Sequence, residues 1–122
     1  MPHEPFDPQR FSRSLYELVV LAALAERTMH GYQIALQVSE RSDGLFVLQH
    51  GTLYPVLHRL EKGKLVRSEW SESEGERRRR VYSLTGAGRE HLAAELLRCE
   101  TIVRKFFDAT RGGPDGALRA TS

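Results

Sequence analysis

The chain carries a single cysteine, Cys99, among 122 residues. One cysteine cannot close an internal disulfide, and it excludes a zinc site built from several thiolates. Cys99 therefore reads as a small apolar residue on a helix rather than a redox group or ligand. No apolar run approaches the roughly 20 residues that a membrane span needs. The longest, Leu15 to Leu24, is interrupted by Glu17 and lacks the basic flank and cleavage site of a signal peptide. The expectation is a cytoplasmic protein with no membrane partner. Catalytic signatures are missing as well. His3, His30, His50, His58 and His91 keep no metal-ligand spacing with one another or with Cys99. There is no glycine-rich phosphate loop and no nucleophile elbow. The sequence thus points away from an enzyme, a metal site or a cofactor, and His30 and His50 read as structural or capping groups.

Excess charge is scarce too, the formal net charge being +2 with neutral histidines. That total does not announce nucleic-acid binding, but its distribution is informative. Arg77, Arg78, Arg79 and Arg80 form an unbroken basic run, preceded by Glu69, Glu72, Glu74 and Glu76. Local charge decides docking onto a phosphate backbone more than the total does.

The length fits one domain with a modest core. Residues 1–10 hold three prolines and no periodicity, and read as a flexible N-terminal arm. From about Phe11 to Ala25, Leu15, Leu18, Val19 and Ala22 keep helical spacing, widened by Leu21 and Leu24. So wide a stripe suits a helix buried on more than one side. Thr28 is a candidate N-cap for a second helix, His30 to Arg41, with Ile34, Ala35 and Val38 inward. Ser42, Asp43 and Gly44 end it, and Leu45 to Leu48 form a short apolar connection.

His50 to Lys62 reads as the third helix, closed by Gly63. Leu53, Val56, Leu57 and Leu60 make one apolar face, with Tyr54, Pro55, His58, Arg59 and Lys62 opposite. Two strand-like runs follow, Leu65 to Trp70 and Arg78 to Leu84, joined by the polar segment Ser71 to Arg77. A last helix runs from Thr85 to about Asp108. The expected fold is mainly α: a winged helix-turn-helix of three helices and a two-stranded wing over residues 11–84. A C-terminal dimerisation helix over 85–108 and a disordered tail over 109–122 complete it.

The third helix has the logic of a reader of DNA. Its apolar face seats it on the domain, and its outer face offers Tyr54, His58, Arg59 and Lys62 to bases and phosphates. Gln49 and Thr52 stand at its start, where side chains and backbone amides meet phosphate. The arginine run can lie along the backbone or enter the minor groove. In the last helix Leu92, Leu96, Cys99, Val103 and Phe106 follow a 4, 3, 4, 3 spacing, the pattern of a coiled-coil seam. Burial against a second copy is the economical solution, with two-fold symmetry presenting two readers to half-sites roughly one helical turn apart.

The stretch GTLYPVLHRLEKGKL, Gly51 to Leu65, resembles the recognition helix of the PadR family of bacterial transcriptional regulators. HGYQI (His30 to Ile34), RRRRVYSLTGAGRE (Arg77 to Glu90) and Leu15 to Leu24 are similar to that family's second helix, wing end and first helix. The resemblance implies a dimeric winged helix, usually a repressor, that pairs through its last and first helices. It carries over Thr52, Tyr54, Pro55 and His58 as DNA-facing, and Arg78 and Arg79 as backbone contacts. It also implies a homodimer interface including Leu15 and Leu18. Family members often respond to small aromatic or cationic compounds near that interface, so a small-molecule effector of unknown identity is a candidate partner. Where family members commonly have an acidic residue and then glycine after HRLEK, this chain has Gly63 and then Lys64, which adds a cation near the DNA. Double-stranded DNA is the expected partner, the candidate contacts being those above with Arg77 and Lys64. A winged-helix module that binds an acidic protein instead is the alternative.

Overall fold

The computed structural model describes residues 4–71 and 78–111. The chain order is α1 (Pro8–Glu26), β1 (Met29–His30), α2 (Gly31–Arg41), α3 (His50–Lys62), β2 (Val66–Trp70), β3 (Arg80–Leu84) and α4 (Gly86–Arg111). It falls into two compact units, Met1–Leu92 and Ala93–Ser122.

The first unit is a winged helix. Its helices form where apolar residues recur every three or four positions, and their inner faces meet in one core. Val20, Leu21 and Leu24 of α1, Ile34 and Val38 of α2, and Leu53, Val56, Leu57 and Leu60 of α3 are buried. Two solvent-exposed ion pairs lie outside this core: Glu26 meets Arg41 of α2, and Glu17 meets Arg59 of α3 at 3.2 Å.

Helix α1 starts earlier than its periodicity suggests, so the flexible arm does not extend to residue 10. Asp7 accepts hydrogen bonds from the amides of Gln9 (3.1 Å) and Arg10 (3.3 Å), and Pro8 follows it where a missing N–H costs nothing. Thr28 is not the cap of α2. Its hydroxyl instead pairs with Ser83 at 3.1 Å, and His30 occupies the N-cap position. The side chain of Gln33 reaches back to accept from the His30 amide at 3.1 Å.

The sheet has three strands in the order β1-β3-β2, not the two expected. Met29 and His30 pair antiparallel with Tyr82 and Val81. The wing proper pairs Val66 with Leu84 through to Trp70 with Arg80. β3 therefore starts at Arg80 rather than Arg78, with one further bond from the Ser71 amide to the Arg79 carbonyl at 2.8 Å. The hairpin tip expected between Ser71 and Arg77 lies outside the described residues beyond Ser71, as does the expected tail beyond Arg111.

Helix α3 ends in a Schellman motif. The Leu65 amide donates to the Leu60 carbonyl (2.9 Å) and the Lys64 amide to the Glu61 carbonyl (3.0 Å). Lys64 itself takes the left-handed conformation, φ 64°. Glycine belongs at that position, so the Gly63-Lys64 order puts the permissive residue one place too early. Lys64→Gly is expected to raise stability by about 0.5–1 kcal/mol. A urea titration checks this as a higher midpoint with unchanged slope. An unchanged or lower midpoint would mean that the lysine side chain contributes more than its backbone strain costs.

Helix α4 begins under the wing. The Thr85 hydroxyl accepts from the Gly88 amide and donates to the Lys64 carbonyl, both at 2.9 Å, so Thr85 caps α4 and ties it to the exit of α3. Gly88 and Leu92 are buried in the first unit. The second unit is the rest of the helix, described through Arg111, three residues beyond the expected Asp108. Its apolar side chains Leu96, Leu97, Val103, Phe106 and Phe107 are exposed. No helix among the described residues is long and apolar enough to cross a membrane.

Candidate nucleic-acid interface

The outer face of α3 carries the side chains expected there. Tyr54, Pro55, His58, Arg59 and Lys62 are exposed, Thr52 is half-buried, and Gln49 is exposed at the N-cap. Their orientation follows from the opposite face: with Leu53, Val56, Leu57 and Leu60 locked into the core, these positions can only point out. No side chain caps the start of α3, so its first amides are open to an anion. Pro55 lies within the helix and removes the donor for the Gly51 carbonyl one turn earlier. At position 51 even a Cβ would meet nothing within 4 Å, so this turn is open.

Not every cation on this face is aimed outward. The Arg59 guanidinium turns back to Glu17 on α1, and that exposed pair is weak enough for a phosphate to compete. Lys62 and Lys64 have no ion-pair partner among the described residues.

Two groups outside the expected set join the recognition helix to the wing. Tyr54 lies against Gly31, the first residue of α2: a Cβ there would be 3.0 Å from Cζ and closer still to the hydroxyl. Beside Gly31, the His30 ring meets Arg79, with Nη1 to Nε2 at 2.9 Å. A guanidinium only donates, so Nε2 is the acceptor and the imidazole is neutral with its proton on Nδ1. Tyr32 stacks near the same ring at 6.5 Å between centroids and is largely exposed. Tyr54, Gly31, His30 and Arg79 thus form one continuous path from α3 to the residue that precedes β3. His30 was legible only as a structural group, and Tyr32 as part of a motif. The strand that holds His30 is too brief to show a period, and Tyr32 follows it in the first turn of α2.

Burial first, and the Arg79 charge second, hold the His30 imidazole below its ordinary value of 6.5. The unfolded chain therefore takes up this proton at a higher pH than the folded one. The contribution to stability is complete above 6.5 and is lost as pH falls from 6.5 through the lower folded value. Thermal midpoints measured across that window should fall less in His30→Asn than in the wild type. Parallel decline in both would remove His30 from the acid response.

Of the arginine run, Arg77 lies outside the described residues. Arg78 and Arg80 approach the Trp70 ring, at 5.4 and 5.3 Å from its centroid, while Arg79 turns the other way to His30. This alternation is that of an extended strand. Among the proposed interface residues, Leu18 and Leu92 are buried within their own chain, whereas Leu96, Val103 and Phe106 are exposed and Cys99 and Leu15 half-buried. Among the described residues no cluster of histidine, cysteine and carboxylates could hold a metal.

A reading helix, an open helix start and a cation-bearing hairpin on one small unit define a winged-helix DNA-binding regulator. Residues 20–94 match the model of the transcriptional regulator PadR-like family, and the chain belongs to that family. It is 35% identical over 99 residues to the transcriptional regulator Rv3488 of Mycobacterium tuberculosis, covering 81% of this chain and 89% of that protein. A solved PadR family transcription regulator from hypervirulent Clostridium difficile is 30% identical with a TM-score of 0.64, covering 76% of this chain and 94% of that one. Bacillus subtilis PadR, solved in complex with operator DNA, shares the fold at a TM-score of 0.61 and 21% identity, over 67% of this chain and 46% of that one.

Proposed function

We propose that this PadR-family regulator is a repressor that binds a pseudo-palindromic operator as a homodimer. The observation that carries the reading is the outer face of α3. It presents Tyr54, Pro55, His58 and Lys62 and no exposed aliphatic side chain, over a start that no side chain caps. An acidic-protein module would read the wing alone and leave this face without a role. Tyr54, Pro55 and His58 meet the major groove; Gln49 and Thr52 at the helix start, with Arg59, Lys62, Lys64, Arg77, Arg78 and Arg79, meet phosphates.

The exposed row Leu96, Val103 and Phe106 with Cys99 supplies the dimer seam, joined by Leu15. A second copy is the economical cover for so much apolar surface on a lone helix. Leu96, Cys99, Glu100, Val103 and Arg104 line a shallow groove on this helix. Release of DNA by a small-molecule effector would act there, by changing how the two helices pack.

The deciding experiment is a footprint on the promoter upstream of the protein's own gene, with random DNA in excess. Protection of a two-fold site, with transcription from that promoter falling as protein is added, is the expected result. A folded dimer that binds no DNA better than the random competitor would overturn the reading.

A further inference from the structure

Trp70 is the only tryptophan in the chain and stands about half exposed at the end of β2. An apolar ring left in water at the tip-ward end of the paired wing strands calls for a reason. Its surroundings supply one. Arg80, directly across the sheet, and Arg78, on the same strand face beyond it, both bring their guanidinium carbons within cation–π range, at 5.3 and 5.4 Å.

The two arginines are held differently. Arg80 is anchored to the body of the domain: its Nε donates to the Ser68 hydroxyl at 3.0 Å, and its Nη2 lies 3.7 Å from Glu61. Ser68 in turn donates to Glu61 at 2.6 Å. Glu61 belongs to α3, so this network fixes Arg80, and through it the ring, to the recognition helix. Arg78 precedes β3 and makes no such bond to Ser68 or Glu61 among the described residues. The Trp70 ring is its support. A guanidinium carbon held over the ring at 5.4 Å still has five N–H donors on its group, and those not engaged can be given to a phosphate.

We propose that Trp70 is a positioning residue for DNA binding, holding Arg78 against the phosphate backbone and coupling the wing to the recognition helix through Arg80 and Glu61. The proposal rests on the DNA-binding reading above and assigns a role to a residue that does not itself meet a base.

The test uses the full-length protein and a short random-sequence duplex, with affinity measured over a range of salt concentrations. Wild type, Trp70→Leu, Trp70→Phe, Arg78→Ala and the double variant Trp70→Leu/Arg78→Ala are compared, each checked for a cooperative thermal transition. Losing the aromatic platform should weaken binding about two- to fivefold at moderate salt. It should also lower the salt slope by about one, the signature of a lost phosphate contact. Trp70→Phe should keep most of the affinity and the slope, and Arg78→Ala should copy Trp70→Leu. In the double variant the second substitution should add nothing. A structural role alone would lower the melting temperature and leave the slope untouched, and that result overturns the proposal. So would additive losses in the double variant. Should Trp70→Leu fail to fold, the emission of Trp70 on adding the duplex decides: a change in wild type that Arg78→Ala abolishes supports the coupling, and an identical change in both refutes it. No salt-dependent binding by wild type would bring down the DNA reading itself, whereas normal wild-type binding matched by Trp70→Leu brings down only the positioning role.

Discussion

Gly88→Ala is expected to destabilise the first unit by roughly 3 kcal/mol. The usual sign is the reverse, since alanine in a helix is favoured over glycine by about 1 kcal/mol. Here the space is already taken. An added Cβ would fall well inside van der Waals contact with the Leu65 carbonyl oxygen, 2.6 Å from Leu84 Cδ1 and 3.1 Å from the Leu65 carbonyl carbon. The leucine side chain can rotate, but the carbonyl cannot move alone. It accepts the Thr85 amide at 3.1 Å, and the neighbouring Lys64 carbonyl accepts the Thr85 hydroxyl. Pushing α4 away would break these bonds and the cap from Thr85 to the Gly88 amide together. Chemical denaturation at one fixed protein concentration measures the effect, since dimerisation would otherwise shift the midpoint. A stability equal to wild type or higher would show that α4 can slide off the α3 exit at little cost.

The same junction shows what the sequence makes legible. The α3 helix could be drawn from Leu53, Val56, Leu57 and Leu60, because a buried face imposes a period and the period survives in the residue order. The winged-helix outline followed from the order of such faces. Three features did not follow. The strand at Met29 and His30 is two residues long, and what makes it a strand is the edge of β3, some fifty residues away. Arg59 stands on the outer face of α3 by periodicity, but its guanidinium is captured by Glu17, whose nearness depends on how α1 crosses α3. Trp70 looked like the last residue of a strand, and its meaning depends on a register that puts Arg80 opposite it. All three depend on long-range pairing, which local spacing does not record. The Gly63-Lys64 order is the reverse case. The departure was visible in the residues, and only the left-handed φ at Lys64 shows which of the two positions needs the glycine.

Tyr54→Ala is expected to weaken binding to the true operator roughly ten- to a hundredfold, with a much smaller effect on random DNA. The ring has two neighbours that hold it in place. His50 packs against it at 5.1 Å between centroids, and the hydroxyl end rests on Gly31 at the start of α2. A phenol fixed in this way has little rotamer freedom left to lose on binding, so under the proposed groove contact its loss should be felt in discrimination more than in general attraction. Gly31→Ala probes the same point without altering the outer face of α3. The new Cβ would overlap the Tyr54 hydroxyl and lie 3.0 Å from Cζ, so the ring must swing away from its seat. Operator affinity should fall by about tenfold while random-duplex affinity and the salt slope hold. Adding Tyr54→Phe removes the overlapping oxygen, so the double variant should bind more tightly than Gly31→Ala alone. That non-additivity is the decisive result, because two independent defects would simply sum. If the double variant is weaker than either single one, the glycine at position 31 serves the phosphate approach to α2 rather than the seating of Tyr54.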